Sequence, residues 1–245
     1  MENNVIILTT GLSGSSVVTS LISKAGYWTG DQTIKKNNAS GNYDTYENTR
    51  LVELNNDLIK SISFKYDNDS EYQNLAHLIF EEAIEQIDNK HVYVEFIEYC
   101  DSKGSWIWKD PRLWVTIGFW QQILDKANIK ILIIYRNPLP LWVSHLTKKQ
   151  IVGYSYLKNI ERRSRKELTQ YLNSINMDNF TICYDELVLS PDKILVGINS
   201  YVNTKLSVDD FKLVYKGNIG SKTWTIYKLI KSILIYIKNF KYRKK

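Results

Sequence analysis

The sequence predicts an α/β fold in which a central parallel sheet is covered by helices on both faces. Short, mostly apolar runs at residues 5–10 and 129–135 have the length and β-branched content of strands buried on both sides. Segments with helical spacing separate such runs, and this alternation is typical of parallel strands joined by helical crossovers. No linker-like stretch divides the 245 residues, so we predict one main domain over 1–222 and an appended segment over 223–245.

The first half of the chain opens with a predicted strand, loop and helix. The strand at 5–10 leads through a turn at 11–16 into a helix over 17–25, which ends at Gly26. Residues 29–46 contain two glycines, three asparagines and a serine, which predicts a long loop. The elements expected next are a helix over 47–60, an acidic amphipathic helix over 75–90, short strands over 92–96 and 106–108, and a helix over 113–127.

The second half is expected to continue the alternation. Its predicted elements are a strand over 129–135, a helix over 138–149, a basic polar helix over 156–172, a strand over 180–184 and a helix over 192–201. Cys100 and Cys183 fall in or just after β-like runs, where buried thiols are common, and two cysteines cannot form a disulfide framework. With no basic stretch before the short apolar run at 5–8, we expect a cytoplasmic protein.

Three predicted strand ends carry residues suited to anions. They are the loop Gly11-Leu12-Ser13-Gly14-Ser15-Ser16, the segment Lys109-Asp-Pro-Arg112, and Arg136. The carboxyl ends of parallel strands meet at one edge of a sheet, and a Gly/Ser loop before a helix exposes backbone N–H groups there. We therefore predict a three-layer, P-loop-like fold with an anion site at this edge.

The same loop argues against a kinase or other nucleoside triphosphatase. That class needs a lysine that reaches the terminal phosphates, and Val17 stands after Ser16 instead. The strand that would end in a magnesium-binding aspartate ends in Arg136. Further along, Asn137 and Pro138 fit the N-cap and first turn of a helix, which places Ser144 about two turns later on the face of Asn137. Arg136 and Ser144 are thus placed to hold one phosphate.

Four segments, in this order, resemble the sulfotransferases that use 3′-phosphoadenosine 5′-phosphosulfate (PAPS), in particular their bacterial and carbohydrate-modifying branch. They are Ser13-Gly-Ser-Ser16, the stretch from Gly41 through Tyr46-Glu-Asn48 to Leu54-Asn55, Trp108-Lys-Asp-Pro-Arg-Leu113, and Arg136-Asn-Pro with Ser144. The resemblance spans roughly residues 5–200. It implies that residues 11–16 hold the 5′-phosphosulfate and that Arg136 and Ser144 hold the 3′-phosphate.

The resemblance also implies that Glu47 is the base for the acceptor hydroxyl and that Lys109 is the cation at the reacting group, with no metal. Two structural alternatives stay open. Glu47 could instead be a first-turn acid that complements a helix dipole, and Lys109 could belong to an ion-pair cluster with Asp110 and Arg112. One position departs from the family, which usually has Lys or Arg where this chain has Leu12. Either activity is reduced or another cation, such as Lys109, Lys24 or Arg50, takes that role.

The segment 223–245 alternates apolar residues with lysines and is expected to form a basic amphipathic helix. Two interpretations remain open: a peripheral contact with an anionic membrane, or a terminal helix packed on the core with a solvated end. The formal charge of +6 is concentrated in the last thirty residues, which contain no acid. No nucleic-acid partner is expected.

The sequence therefore predicts a PAPS-dependent sulfotransferase that acts on a hydroxyl of a carbohydrate, such as a glycan, a lipid-linked saccharide or a surface polysaccharide precursor. Two alternatives remain: a small-molecule or sugar kinase, which would require ATP and magnesium, and a catalytically degenerate PAPS-binding module, which Leu12 motivates.

Overall fold

The computed structural model describes residues 3–38, 41–63 and 90–243. Within them the strands are β1 (Asn4–Leu8), β2 (Thr33–Asn38), β3 (Gly41–Asn48), β4 (Ile107–Lys109), β5 (Ile129–Tyr135) and β6 (Asn179–Cys183). The α-helices are α1 (Ser15–Ser23), α2 (Thr49–Ser63), α3 (Lys90–Asp101), α4 (Leu113–Trp120), α5 (Pro138–Thr147), α6 (Tyr154–Ser174), α7 (Tyr184–Leu189), α8 (Pro191–Val202), α9 (Val208–Val214) and α10 (Ile226–Lys238).

Four strands form the parallel sheet that the sequence predicts, in the order β4-β1-β5-β6. β1 lies inside the sheet, with Ile7 in register with Lys109 on one side and with Leu132 on the other. This register brings the ends of β1, β4 and β5 to one edge. The predicted fold class, with its strands at 5–10, 106–108, 129–135 and 180–184, is confirmed.

The sheet separates two apolar clusters, as a three-layer fold requires. Along β1, Val5 and Ile7 belong to the cluster beneath α1, α7, α8 and α9, whereas Ile6 and Leu8 belong to the opposite one. Alternate side chains of a strand point to opposite faces, so one short strand contributes to both clusters. The second cluster contains stacked tryptophans, with the Trp106 and Trp108 rings 4.3 Å apart between centroids. Both faces of the strand that leads into the Gly11 loop are thereby fixed.

The predicted long loop at 29–46 is wrong, because these residues form most of an antiparallel hairpin. β2 pairs with β3 from Thr33 opposite Asn48 to Asn38 opposite Gly41, with a register shift near Lys35. The Gly and Asn residues that suggested a loop lie largely towards the hairpin tip, where turns favour them. Glu47 consequently lies on β3, just before α2, and does not begin a helix as the sequence had suggested.

Two other predicted elements need correction, and a third falls outside the described residues. The predicted strand at 92–96 lies within α3, where Tyr93, Phe96 and Cys100 are buried at helical spacing. The helix expected over 113–127 ends at Trp120, and a short 3₁₀ turn, Lys126–Asn128, precedes β5. The acidic helix predicted over 75–90 lies outside the described residues except for Lys90.

The C-terminal helix α10 packs against α5. Leu229 and Tyr236 contact the apolar cluster that contains Trp142, and the Trp142 and Tyr236 rings meet edge to face at 5.6 Å between centroids. Ser232 is fully buried between them. One face of α10 is therefore part of the fold. Among the described residues, no helix is both long and apolar enough to span a bilayer.

Candidate functional site

A cavity of about 960 Å³ opens at the edge where β1, β4 and β5 end. Nearly all the residues that the sequence assigned to a site line it: Gly11, Leu12, Gly14, Ser15, Ser16, Glu47, Lys109, Arg136 and Ser144. The position follows from topology, since ligands bind beyond the carboxyl ends of strands in open parallel sheets. The structure thus brings three distant segments of the chain to one place.

The loop after β1 is shaped to present backbone N–H groups. Gly11, Leu12 and Gly14 all have left-handed backbone angles, with φ of 94°, 51° and 83°. Gly14 is the N-cap of α1 and provides no side-chain cap, so the first N–H groups of the helix, including those of Ser15 and Ser16, lack a helical acceptor. This arrangement of donors at a helix N-terminus favours a bound anion.

Glycine is required at position 14 for a second reason. A Cβ added there would lie 2.3 Å from the ring of Tyr184, which is too close for any side chain. Tyr184 also lines the cavity and is buried at the start of α7. The loop and this tyrosine therefore fit together only because residue 14 has no side chain.

Ser13 differs from its neighbours in the loop, although the resemblance grouped it with them. Its side chain is buried and shares a short hydrogen bond with the hydroxyl of Thr9, and it does not line the cavity. The Thr9 hydroxyl also accepts a hydrogen bond from the backbone N–H of Gly11 at 3.2 Å. Ser13 therefore stabilises the loop from behind, and its hydroxyl is not positioned to bind a ligand.

Leu12 fills an apolar site at the position where the sequence resemblance had led us to expect a cation. Its side chain packs against the cluster formed by Leu141, Trp142 and Leu146, while the residue also borders the cavity. This packing stabilises a left-handed conformation that costs a non-glycine residue roughly 1–2 kcal/mol. Leu12 thus contributes apolar packing at the edge of the cavity. A positive charge at this point of the cavity must come from another part of the chain.

Glu47 and Lys109 form a buried ion pair at the cavity wall. The Lys109 Nζ atom donates to Glu47 Oε1 at 2.5 Å, and both side chains are at most 5% exposed. Burial lowers the pKa of Lys109, and the charge of Glu47 partly offsets this effect. Lys109 contacts one carboxylate oxygen, which leaves Oε2 of Glu47 outside this pair. The two residues assigned separate roles from the sequence are therefore one coupled unit.

The neighbouring residues Asp110 and Arg112 have a structural role. Asp110 is fully buried, accepts from Asn55 Nδ2 at 2.8 Å and pairs with Arg112 at 2.9 Å. Burial raises the pKa of Asp110, while Arg112 opposes that shift. Asn55 Oδ1 in turn accepts from Thr116 and Trp120. Asp110 and Arg112 therefore form part of the ion-pair cluster that the sequence left as an alternative. Lys109 is not in this pair, because it pairs with Glu47.

Arg136 and Ser144 meet directly at the other side of the cavity. The guanidinium NH1 donates to Ser144 Oγ at 2.7 Å, and Nε donates to Asp185 at 3.2 Å. The second oxygen of Asp185 accepts from the backbone N–H of Asn137 at 2.8 Å, and Thr223 donates to the first. Pro138 begins α5 as predicted, with Asn137 as its N-cap. Asp185 thus fixes the orientation of the guanidinium.

Three further lysines line the same cavity: Lys36 of β2, and Lys148 and Lys149 after α5. Burial lowers the pKa of Lys148, and the charges of Lys36, Arg136 and Lys109 lower it further. Lys36, Lys109, Arg136 and Lys148 therefore interact electrostatically, and their combined positive field attracts anions. The other cations proposed from the sequence do not line the cavity. Arg50 pairs with Glu53 at 3.1 Å on the surface, and Lys24 is exposed beyond α1.

Sequence reasoning missed Asp185, Lys36 and Lys148. Asp185 follows the end of β6 by two residues, so the strand-end rule that identified Arg136 would have found it as well. Lys36 was hidden because its segment was interpreted as a loop. Lys148 has no distinguishing signal, since basic residues at helix ends are common.

Comparisons with known proteins identify solved structures that are similar in fold to this chain. No family model matches the chain, and no protein of curated function matches its sequence. A sulfotransferase domain from the Synechococcus PCC 7002 olefin synthase is similar in structure, with a TM-score of 0.51 and 13% identity over 100% of this chain and 98% of that domain. A sulfotransferase domain from the curacin biosynthetic pathway has a TM-score of 0.50 and 12% identity, over 94% and 82% of the two chains. At such identities the likeness shows that this chain has the fold of sulfotransferase domains.

Proposed function

We propose that this protein transfers a sulfuryl group from PAPS to a hydroxyl group. The observation that carries the proposal is the arrangement of a single cavity. Its wall combines the N–H donors of the Gly11 loop, the Glu47–Lys109 pair and the Arg136–Ser144 pair. Each of these three sets has at least one member at the end of a strand of the parallel sheet, in a fold like that of sulfotransferase domains. PAPS has anionic groups at two separated positions, and the site offers two separated sets of donors.

The donor set fits this group. Ser15 and Ser16 head a helix whose N–H groups suit the 5′-phosphosulfate. Arg136 suits the 3′-phosphate. Its Nε donates to Asp185, which orients the guanidinium, and its NH1 donates to the Ser144 hydroxyl on the cavity wall. When bound, PAPS would supply the activated sulfuryl group.

In this proposal Glu47 accepts the proton of the acceptor hydroxyl. The Glu47–Lys109 contact engages Oε1 and orients the carboxylate, and Oε2 is the atom assigned to the incoming proton. As the acceptor oxygen bonds to sulfur, the bond from sulfur to the bridging oxygen of PAPS would break, and Lys109 would place its positive charge near that leaving oxygen, where negative charge develops. Since burial lowers the pKa of Lys109, its ammonium donates a proton more readily than a surface lysine would.

Other cations of the cavity can replace the positive charge that is missing at Leu12. Lys36 and Lys148 line the cavity with Lys109, and all three act on one another electrostatically. We propose that Lys36 and Lys148 take over the part that a lysine or arginine at position 12 has in related proteins. This assignment favours an active enzyme over a degenerate binding module.

A carbohydrate is the acceptor that we propose. The cavity, at about 960 Å³, lies at the upper end of the roughly 300–1,000 Å³ typical of small-molecule sites, so it has room for an acceptor beside a nucleotide. Its wall includes Tyr43, Tyr156 and Gln150. Aromatic rings and amides suit the apolar faces and hydroxyl groups of a sugar.

The test is transfer of labelled sulfate from PAPS to a panel of saccharides. We expect a saccharide to be labelled when PAPS carries the label. We expect no labelled saccharide when PAPS is replaced by magnesium and ATP labelled in its terminal phosphate. Phosphate transfer from ATP would support the kinase alternative and contradict the proposal. Binding of PAPS without transfer to any acceptor would favour the degenerate module.

A further inference from the structure

The C-terminal helix carries a continuous apolar surface on the side that faces away from the fold. We define this surface, the outer face of α10, by large side chains of the helix and of the 3₁₀ turn after it that are between 39% and 73% exposed: Ile226, Tyr227, Ile230, Ile233, Leu234, Ile237, Phe240 and Tyr242. Exposed apolar residues are normal when scattered, but a contiguous set at helical spacing marks a surface that contacts another body.

The outer face is distinct from the face that holds α10 to the protein. Leu229, Ser232 and Tyr236 follow one another at three- and four-residue spacing and pack on α5. Ile226, Ile230 and Ile237 follow a separate line of the same helix, rotated away from that contact. Packing on the core, one of the two interpretations of this segment, therefore describes only one side of the helix.

Cations border the outer face. Lys228, Lys231 and Lys238 lie on α10, and Lys241 and Arg243 follow it. The last acidic residue of the sequence is Asp210, so no carboxylate in this segment offsets these charges. An apolar stripe bordered by lysines is complementary to a surface that is apolar inside and negatively charged at its boundary.

We propose that the outer face of α10 docks on an anionic lipid bilayer, with the helix lying parallel to the membrane surface. The apolar side chains would enter the boundary between headgroups and acyl chains, and the lysines would contact anionic headgroups. A second copy of the chain is a poorer occupant, because two such faces would bring like charges together. The proposal does not depend on the reaction proposed above, since it requires no ligand in the cavity.

Docking would place the cavity next to the membrane. Tyr242, at the end of the outer face, also lines the cavity, and Thr223, just before α10, donates to the Asp185 carboxylate that holds Arg136. A saccharide anchored in the same membrane would then have a short path to the site.

The experiment measures co-sedimentation of the full chain with vesicles. Vesicles of phosphatidylglycerol mixed with phosphatidylcholine should bind the protein, and pure phosphatidylcholine vesicles should bind it weakly. Replacing Ile226, Ile230 and Ile237 together with Gln should weaken binding at least about tenfold, because these side chains supply the buried apolar area. The matched control replaces Val196 and Leu213, which are 71% and 73% exposed on other helices, with Gln and should bind as the wild type does.

A second variant tests the charge. Replacing Lys228, Lys231 and Lys238 with Gln should weaken binding on the order of 100-fold at low salt, and raised salt should reproduce part of that loss in the wild type. Equal binding to neutral and anionic vesicles, or an equal loss in the Val196/Leu213 control, would overturn the proposal. So would self-association of the wild type, seen by ultracentrifugation and abolished by the isoleucine variant, without vesicle binding. A far-ultraviolet circular dichroism spectrum like that of the wild type would show that the isoleucine variant remains folded.

Discussion

At the scale of single residues, the Glu47–Lys109 pair determines how the site would act. Both charges are buried, and each satisfies the other at 2.5 Å. Removing one partner of such a pair leaves an uncompensated charge, which typically costs about 3–5 kcal/mol. Stability and chemistry are therefore linked at this point, and a useful variant must keep the hydrogen bond while changing the charge.

Glu47→Gln meets this requirement, because the amide oxygen still accepts from Lys109. We expect turnover to fall by roughly 10²–10⁴-fold, the usual contribution of a general base, since an amide cannot take up the acceptor proton. Affinity for the desulfated product, 3′-phosphoadenosine 5′-phosphate (PAP), should stay close to that of the wild type. Steady-state rates and calorimetric PAP titration measure the two effects. If affinity fell together with the rate, Glu47 would be a structural residue.

At the scale of elements, the β2–β3 hairpin carries more of the site than the sequence indicated. β3 supplies Glu47, and β2 supplies Lys36. The resemblance singled out Glu47, which lines the cavity, even though the helix start predicted for it was wrong. Glu47 was found because the motif depends on the residues of the site and not on their secondary structure. The hairpin was missed because its polar strands lack the apolar alternation that distinguishes strands from loops.

Strand ends were the most predictable part of the site. Each apolar run of the main sheet was recognisable, and the residues after β1, β4 and β5 converge as parallel topology requires. Contacts that form only in three dimensions were not predictable. Three contacts join residues whose proximity no periodic pattern encodes: the hydrogen bond from Arg136 to Asp185, the Thr9–Ser13 hydroxyl contact and the fit of Gly14 against Tyr184.

The hairpin also provides a matched pair of lysines. Lys36 lines the cavity, whereas its neighbour Lys35 does not, as alternation along a strand requires. We expect Lys36→Ala to lower the transfer rate by roughly tenfold or more, and Lys36→Ala with Lys148→Ala to lower it by about 10²–10³-fold, the scale of a lost charge-stabilising donor. Lys35→Ala should leave the rate unchanged. Equal effects of Lys35→Ala and Lys36→Ala would indicate a general charge effect and refute the assigned role.

At the scale of the whole molecule, the site rests on a sheet that is buried on both faces. Two apolar clusters hold β1 and β5, so the loop and the arginine that follow them start from fixed positions. His145, next to Ser144 on α5, couples the stability of the site to pH. Burial lowers the pKa of His145 to about 4 from its ordinary 6.5.

The lowered pKa of His145 predicts that folding stability decreases as the pH falls. Between pH 6.5 and about pH 4, His145 is protonated in the unfolded chain but neutral in the folded chain. The free energy of unfolding therefore decreases as the pH falls through that interval. Between pH 7 and pH 5 the contribution is up to about 2 kcal/mol. Urea unfolding of the wild type and of His145→Gln at both pH values measures it. The wild type should lose more stability than the variant, and an equal loss would show that His145 is not the group responsible.

Binding of PAP, compared with 5′-AMP, tests the central claim most directly, because the two ligands differ in the 3′-phosphate assigned to Arg136 and Ser144. Calorimetric titration should show PAP bound roughly 10- to 150-fold more tightly, the worth of hydrogen bonds to a charged group. Ser144→Ala should reduce this preference by about 2- to 10-fold. Thr147→Ala, an exposed hydroxyl of the same helix that does not line the cavity, should not. Equal affinity for PAP and 5′-AMP, or no binding of either, would contradict the account.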